Sequence, residues 1–196
     1  MTTPAPRPLP APQPFVRRAV PADRDALERL WLLFRHDLSA VTGELPRPDG
    51  RFRDERLRSA LEHLGHDDPS ADWRAYLATV PGGRPGGPGG TEGPPDDRPV
   101  AFALVRGLGS PTRVLSAFFV VRAVRRSGVG AGVAAAVLRD VPGPWEIAFQ
   151  DANAAAAAFW PRVAADVAGD RWTLTHRAVP GRPELPPDAW LSLTAA

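Results

Sequence analysis

Two apolar runs, Val114–Val121 and Trp145–Gln150, are separated by one helix-length segment of small residues, Gly130–Leu138, closed by Pro142-Gly143-Pro144. The segment Phe118–Gln150 is thus strand, helix, strand, which requires two parallel strands joined by a right-handed crossover. The surrounding pattern predicts the rest. Phe15–Val20 reads as a short strand, and Leu27, Leu30, Trp31, Phe34 and Leu38 recur at the spacing of a half-buried helix. Arg51–Leu64 gives a second helix, stopped by Gly65. Trp73–Val80 alternates as a strand, and Val100–Arg106 and Val114–Val121 flank Gly107–Pro111 as an antiparallel pair. Asn153 can cap a helix running to about Ala168, with Pro161 bending it or marking its start. Trp172–Val179 and Ala189–Leu193 close the chain as paired strands. The order β α α β β β α β α β β is mixed α/β.

The chain holds 24 prolines and 18 glycines. Six prolines fall within residues 1–14, and residues 81–98 hold five prolines and seven glycines. The expected organisation is a disordered Pro-rich tail over 1–14 and a single domain over 15–196 with a flexible loop at 81–99. Cysteine is absent, which removes disulfides, thiolate nucleophiles and iron–sulfur clusters. Lysine is absent too, so a Schiff-base lysine and a P-loop lysine are excluded. The formal charge is only +2 at pH 7, which gives little reason to expect a nucleic-acid partner. No leader-like apolar region and no run of about 18 apolar residues occurs. The expectation is a soluble, cytoplasmic protein with no membrane partner; a homodimer stays open.

The chemistry concentrates in Arg125-Arg126-Ser127-Gly128-Val129-Gly130, between strand and helix. Glycines let backbone N–H groups turn toward a ligand, the helix N-terminus adds partial positive charge, and the arginines add forked donors. Such a turn can cradle a pyrophosphate, or serve packing alone. Two ligand classes fit. Gly130-Ala131-Gly132-Val133-Ala134-Ala135 matches a loose dinucleotide pattern, with Asp151 beyond it. Arg125, Gly128 and Gly130 instead match Arg-x-x-Gly-x-Gly, which needs no further strands.

With that second motif the chain resembles the GNAT superfamily of acetyl-CoA-dependent N-acetyltransferases, and Phe34-Arg35-His36-Asp37-Leu38-Ser39, Gly50-Arg51-Phe52 and Pro144-Trp145-Glu146 further resemble a bacterial branch of it. Asn153-Ala154-Ala155-Ala156-Ala157-Ala158-Phe159-Trp160 is similar to the family's second segment, and the element order agrees from Phe15 to Leu193. The resemblance implies a mostly antiparallel sheet of about seven strands and four helices, with a central β-α-β unit for acyl-CoA. It implies that pantetheine lies along Phe119, Val120 and Val121, with Asn153 lining its path. Arg125, Arg126, Ser127, Gly128, Val129, Gly130 and Ala131 would hold the pyrophosphate. Acetyl-CoA is then a co-substrate, and the acceptor a primary amine of a small molecule or peptide that attacks directly.

Departures from the family's pattern bear on catalysis. Trp160 stands where the family usually has an acidic tyrosine, and the one tyrosine, Tyr76, lies on an early strand. Ala148 and Ala117 stand where relatives carry glutamates. Glu146 shares a strand face with Ala148 and Gln150 by the period of two, and is the candidate base. Asp37, beside His36 at the end of the first helix, is the candidate ligand for a cationic amine. His63, His66 and Asp67 read as a solvated helix end, His176 stands alone, and no metal site is expected. The competing readings are a non-catalytic acyl-CoA-binding or regulatory domain and a dinucleotide-dependent oxidoreductase.

Overall fold

The computed structural model describes residues 13–65, 71–81, 97–179, 181–182 and 184–195. The tail at 1–12, the loop at 82–96, and His66 and Asp67 lie outside the described residues. One sheet organises the chain. Its strands are β1 (Phe15–Arg18), β2 (Trp73–Val80), β3 (Arg98–Arg106), β4 (Arg113–Val120), β5 (Gly143–Phe149), β6 (Trp172–Arg177) and β7 (Asp188–Ala195), in spatial order β1-β2-β3-β4-β5-β7-β6. Every neighbouring pair is antiparallel except β4 and β5, which are parallel and joined through the crossover helix α3 (Val129–Asp140).

Helices α1 (Arg24–Thr42) and α2 (Glu55–Leu61) pack on β2, β3 and β4 on one face of the sheet. There Trp31 and Phe34 of α1, 5.2 Å apart, meet Phe102 and Phe119 of the sheet at ring separations of 5.8–6.2 Å. The Trp31 indole also gives its N–H to Arg53 O at 2.8 Å. The opposite face carries α3 and α4 (Ala154–Ala168). In α3, Val129, Val133, Ala134, Val137 and Leu138 form the buried stripe that small residues at helical spacing allow. The two faces therefore have two cores, joined only through the sheet.

The element order matches the expectation from the sequence, with shifts at the ends. β3 begins at Arg98, so the expected loop at 81–99 loses its last two residues to the strand. There Pro99 pairs with Thr79, beside an irregularity between Ala78 and Thr79 that accommodates a residue without an N–H. α4 runs through Pro161 without stopping, so Pro161 does not mark its start. α1 extends to Thr42 and ends on Gly43 at φ +67°, which lets the capping N–H reach Ser39 O at 2.8 Å.

Candidate active site

The site begins with one extra residue in β4. Leu104 pairs with Ala117 and Val105 with Leu115, so Ser116 is a bulge. β4 and β5 pair only over Arg113–Leu115 and Trp145–Ile147, and part at this bulge. Past it, the β4 edge has no strand partner toward β5 among the described residues. Val121 gives its N–H to Val100 O on the β3 side at 2.8 Å. By strand alternation, Val120 and Phe118 therefore turn their backbone groups into the splay. On the α4 side an aromatic wedge fills the gap. Phe118 stacks on Phe159 at 5.7 Å and meets Trp160 edge-on at 5.1 Å. Trp160 is buried. The indole thus packs at the root of the splay.

Beyond Val121 a 3-10 turn, Arg122–Val124, leads to Arg125 in extended conformation. Arg126 then has φ +63°, the one positive φ of a non-glycine among the described residues, and Gly128 has φ +90°. Ser127 Oγ donates to Val124 O at 2.7 Å and pins the bend. α3 starts on Gly128, which has no side chain to cap it, and the first N–H satisfied across that junction is Gly132 N to Gly128 O at 3.0 Å. The N–H groups of Val129, Gly130 and Ala131 find no carbonyl among the described residues and carry the positive end of the helix dipole. A Cβ on Gly128 would meet nothing within 4 Å, whereas one on Gly130 would touch Val120 and Phe159 at 3.5–3.7 Å. The first glycine opens onto free space; the second seats the helix on the splay. A groove of about 460 Å³ runs past Ser127, Gly128, Val129 and Gly132 to Pro14 and Val16. A helix start with unpaired N–H groups, beside a glycine whose missing Cβ faces open space, fits a pyrophosphate.

Arg125 and Arg122 are not free at this loop. Asp37, on α1, takes Arg122 Nε and NH2 at 3.1 and 2.7 Å and also accepts from Arg125. Burial pushes the Asp37 carboxyl up, but the hydrogen bonds from Arg122 and Arg125 outweigh it and hold it below the ordinary value of 3.8. Arg125 further gives Nε to Val120 O at 2.7 Å and lies over the Phe119 ring at 5.5 Å. Asp37 therefore faces two guanidiniums rather than open solvent, and ties the wall of α1 to the loop. Asn153 caps α4, its Oδ1 accepting from Ala156 N at 3.2 Å.

Register places the remaining candidates. On the α1/α2 face, Arg106, Val114, Glu146, Ser192 and Thr173 form one row across β3, β4, β5, β7 and β6. The next row holds Ala117 on β4 and Ala148, Trp190 and Thr175 beyond the splay. Glu146 Oε1 accepts from Arg177 NH2 at 2.8 Å, and that guanidinium lies over the Trp190 ring at 4.6 Å. Gln150 gives Nε2 to Asp188 at 3.1 Å. Arg56, from α2, reaches over the bulge and donates to Ser116 O at 3.1 Å. Tyr76 is far from all of this in role: its hydroxyl donates to Asp140, at the other end of α3, at 2.7 Å, and burial pushes its pKa to about 12. His63 Nδ1 contacts Ser59 O at 2.8 Å, and His176 Nε2 meets Asp151 at 2.8 Å. Among the described residues no group of three His, Cys, Asp or Glu could hold a metal ion, and no helix is long and apolar enough to cross a membrane.

Ser116, Arg56, Arg177 and Trp190 were not singled out in the sequence. Trp190 had a signal in the alternation of Asp188, Trp190 and Ser192 with Ala189, Leu191 and Leu193; the bulge had none.

No family profile and no curated protein matches the chain in sequence. Solved structures do match in shape. A Desulfovibrio desulfuricans protein assigned to the acetyltransferases of the GNAT family superposes with TM-score 0.61 at 18% identity, covering 93% of this chain and 99% of its own. A Corynebacterium glutamicum structure, described as histone acetyltransferase HPA2 and related acetyltransferase, gives 0.59 at 14%, covering 94% and 97%. A Bacillus anthracis protein assigned as a streptothricin acetyltransferase, in complex with acetyl coenzyme A, gives 0.56 at 11%, covering 94% and 99%. The fold is that of the GNAT acetyltransferases.

Proposed function

We propose that this chain is an acetyl-CoA-dependent N-acetyltransferase that acetylates a primary amine. The observation that carries the reading is the uncapped start of α3 at Gly128, whose missing Cβ faces free space, beside the splayed end of β4. The acetyl-CoA bound to a structural neighbour of the same fold supports it. In this reading the N–H groups of Val129, Gly130 and Ala131 and the guanidinium of Arg126 meet the pyrophosphate. Pantetheine runs along the open edge of Phe119, Val120 and Val121, with Asn153 and Trp160 at its far wall.

The amine nitrogen attacks the thioester carbonyl carbon, a C–N bond forms, and the C–S bond breaks. One proton leaves the nitrogen and one reaches the CoA sulfur, giving amide and free thiol. Glu146, one row before Ala148 on the same face and hydrogen-bonded to Arg177, takes the proton from nitrogen in this reading. No phenol reaches the site, because Tyr76 is engaged with Asp140, so solvent protonates the thiolate. The test combines acetyl-CoA binding with thiol release over a panel of amines. Glu146→Gln should slow transfer by about 10²–10⁴-fold with acetyl-CoA affinity little changed. The lack of a phenol also favours a second reading, a non-catalytic acyl-CoA-binding or regulatory domain. Binding of acetyl-CoA without thiol release on any amine decides for it, and no binding sinks both.

A further inference from the structure

The α1/α2 face of the sheet beside the bulge carries more positive charge than its own carboxylates answer. Arg56 reaches it from α2 and spends one N–H on Ser116 O, at the bulge where β4 and β5 part. Arg106 points to the same face from the neighbouring strand, by its register with Val114 and Glu146. Neither forms an ion pair among the described residues. Two nearby carboxylates are paired with other arginines, Glu146 with Arg177 and Glu44 with Arg35, while Asp188, held by the neutral Gln150 amide, leaves one negative charge to face both Arg56 and Arg106. Even so, Arg35 keeps its Nε shut away from solvent without a partner among the described residues.

Arg56 is exposed to solvent, and only part of its side chain packs on protein, where it donates to Ser116 O. That partial burial pulls its pKa down, and the Arg106 and Arg35 charges pull in the same direction, against Asp188 and Glu55. A forked cation that is partly desolvated, pressed by two like charges and short of a fixed counter-ion is arranged for an anion from outside.

Resting on the acetyltransferase reading above, we propose that Arg56, with Arg106 beside it, binds a carboxylate on the acceptor. The amine acetylated here is then an amino acid or similar carboxylate-bearing primary amine, and the charge of Arg56 selects it. The planar fork of guanidinium fits a carboxylate in two parallel hydrogen bonds, and its place at the bulge puts that anion beside the root of the splay. The acceptor's cationic or neutral end is left to the Glu146 side of the same row.

The test uses the full chain with matched acceptors: free amino acids, their C-terminal amides, and aminoalkyl phosphates. Thiol release gives kcat/KM for each, and melting of the CoA-saturated protein with each acceptor gives binding independent of turnover. We expect the acid to exceed its amide by about tenfold or more in kcat/KM, and to raise the melting temperature more than the amide does. In Arg56→Gln the acid-to-amide ratio should fall toward one; in Arg56→Lys it should recover in part. If Arg56→Gln fails to fold, Arg106→Gln should lower the same ratio. An aminoalkyl phosphate favoured over the amino acid would replace carboxylate by phosphate as the anion recognised. Equal or better use of the amide, or a ratio untouched by both arginine changes, overturns the proposal while acetyl-CoA binding still stands. Absence of acetyl-CoA binding would instead remove the reading beneath it. If no amine turns over, equal thermal shifts from acid and amide overturn the proposal on their own.

Discussion

At the scale of single residues, Gly128 and Asp37 act on the same loop in opposite directions. Gly128 sits at φ +90°, where an L side chain is strained, and its missing Cβ faces open space. Gly128→Leu should therefore cost ~1–2 kcal/mol of stability through the backbone. It should weaken acetyl-CoA far more, by about 100-fold or beyond, because the side chain would fill the place proposed for the phosphate. Calorimetric titration of the folded variant checks this, and unchanged affinity would remove the loop from the site. Asp37 is the countercharge to Arg122 and Arg125. Its folded pKa lies below the ordinary 3.8, so the pair stabilises the native state above that value and is lost as pH falls through the depressed one. Asp37→Asn should lower the melting temperature at pH 7 by the equivalent of ~1 kcal/mol, and the difference from the parent should shrink as pH falls below the ordinary carboxylate value. A gap that persists in acid would show that Asp37 acts through packing and not charge. The arginines were legible in the sequence as loop cations, but their partner 85–88 residues away was not, since local pattern carries no information on such a pairing.

At the scale of elements, the strand–helix–strand unit was legible because its periodicities differ so sharply: an apolar run, a small-residue helix, an apolar run. Element ends shifted by a few residues where caps and pairing, not pattern, decide them. The bulge at Ser116 was not legible, because Val-Leu-Ser-Ala-Phe-Phe-Val-Val is an ordinary strand until β3 supplies the register against which one residue is extra. It also determines which faces Leu115 and Ala117 occupy, with Leu115 in the core under α3 and Ala117 in the core under α1. Deleting Ser116 would make Leu115 and Ala117 consecutive opposite Val105 and Leu104, a regular strand with both cores intact. The deletion variant should therefore fold with a melting temperature equal to or above the parent's. It should nevertheless lose acetyl-CoA binding, since β4 could then stay paired with β5 and close the splay. Hydrogen exchange at Phe118 and Val120 should slow in the same variant; retained acetyl-CoA binding would show that the bulge does not make the site.

At the scale of the whole molecule, the sheet has two parts. β1–β4 carry α1 and α2, β5–β7–β6 carry α4, and between the parts lie three β4–β5 pairs with α3 and α4 packed together behind them. A ligand that lies in the splay and on the α3 N-terminus touches both parts, and so opposes the opening that global unfolding requires. At about 100 times its dissociation constant such a ligand adds ~2.7 kcal/mol, which for a chain of this size is about 5–10 °C in melting temperature. The pairing of β2 with β3 does not call on residues 82–96, because Val80 already faces Arg98 across the two strands. Replacing 82–96 with a short Asn-Gly turn, and removing residues 1–12, should thus leave both the melting temperature and its acetyl-CoA shift within about 2 °C of the parent's, since a Pro/Gly-rich segment buries too little apolar surface to offset its ordering. The decisive comparison is the size of the acetyl-CoA shift in the trimmed and full chains, with NADH as the control ligand. A shift from NADH and none from acetyl-CoA would replace the acyl-CoA cradle by a dinucleotide site. A smaller acetyl-CoA shift in the trimmed chain alone would mean that the tail, whose end at Pro14 borders the groove beside Gly128 and Gly132, completes the ligand's seat.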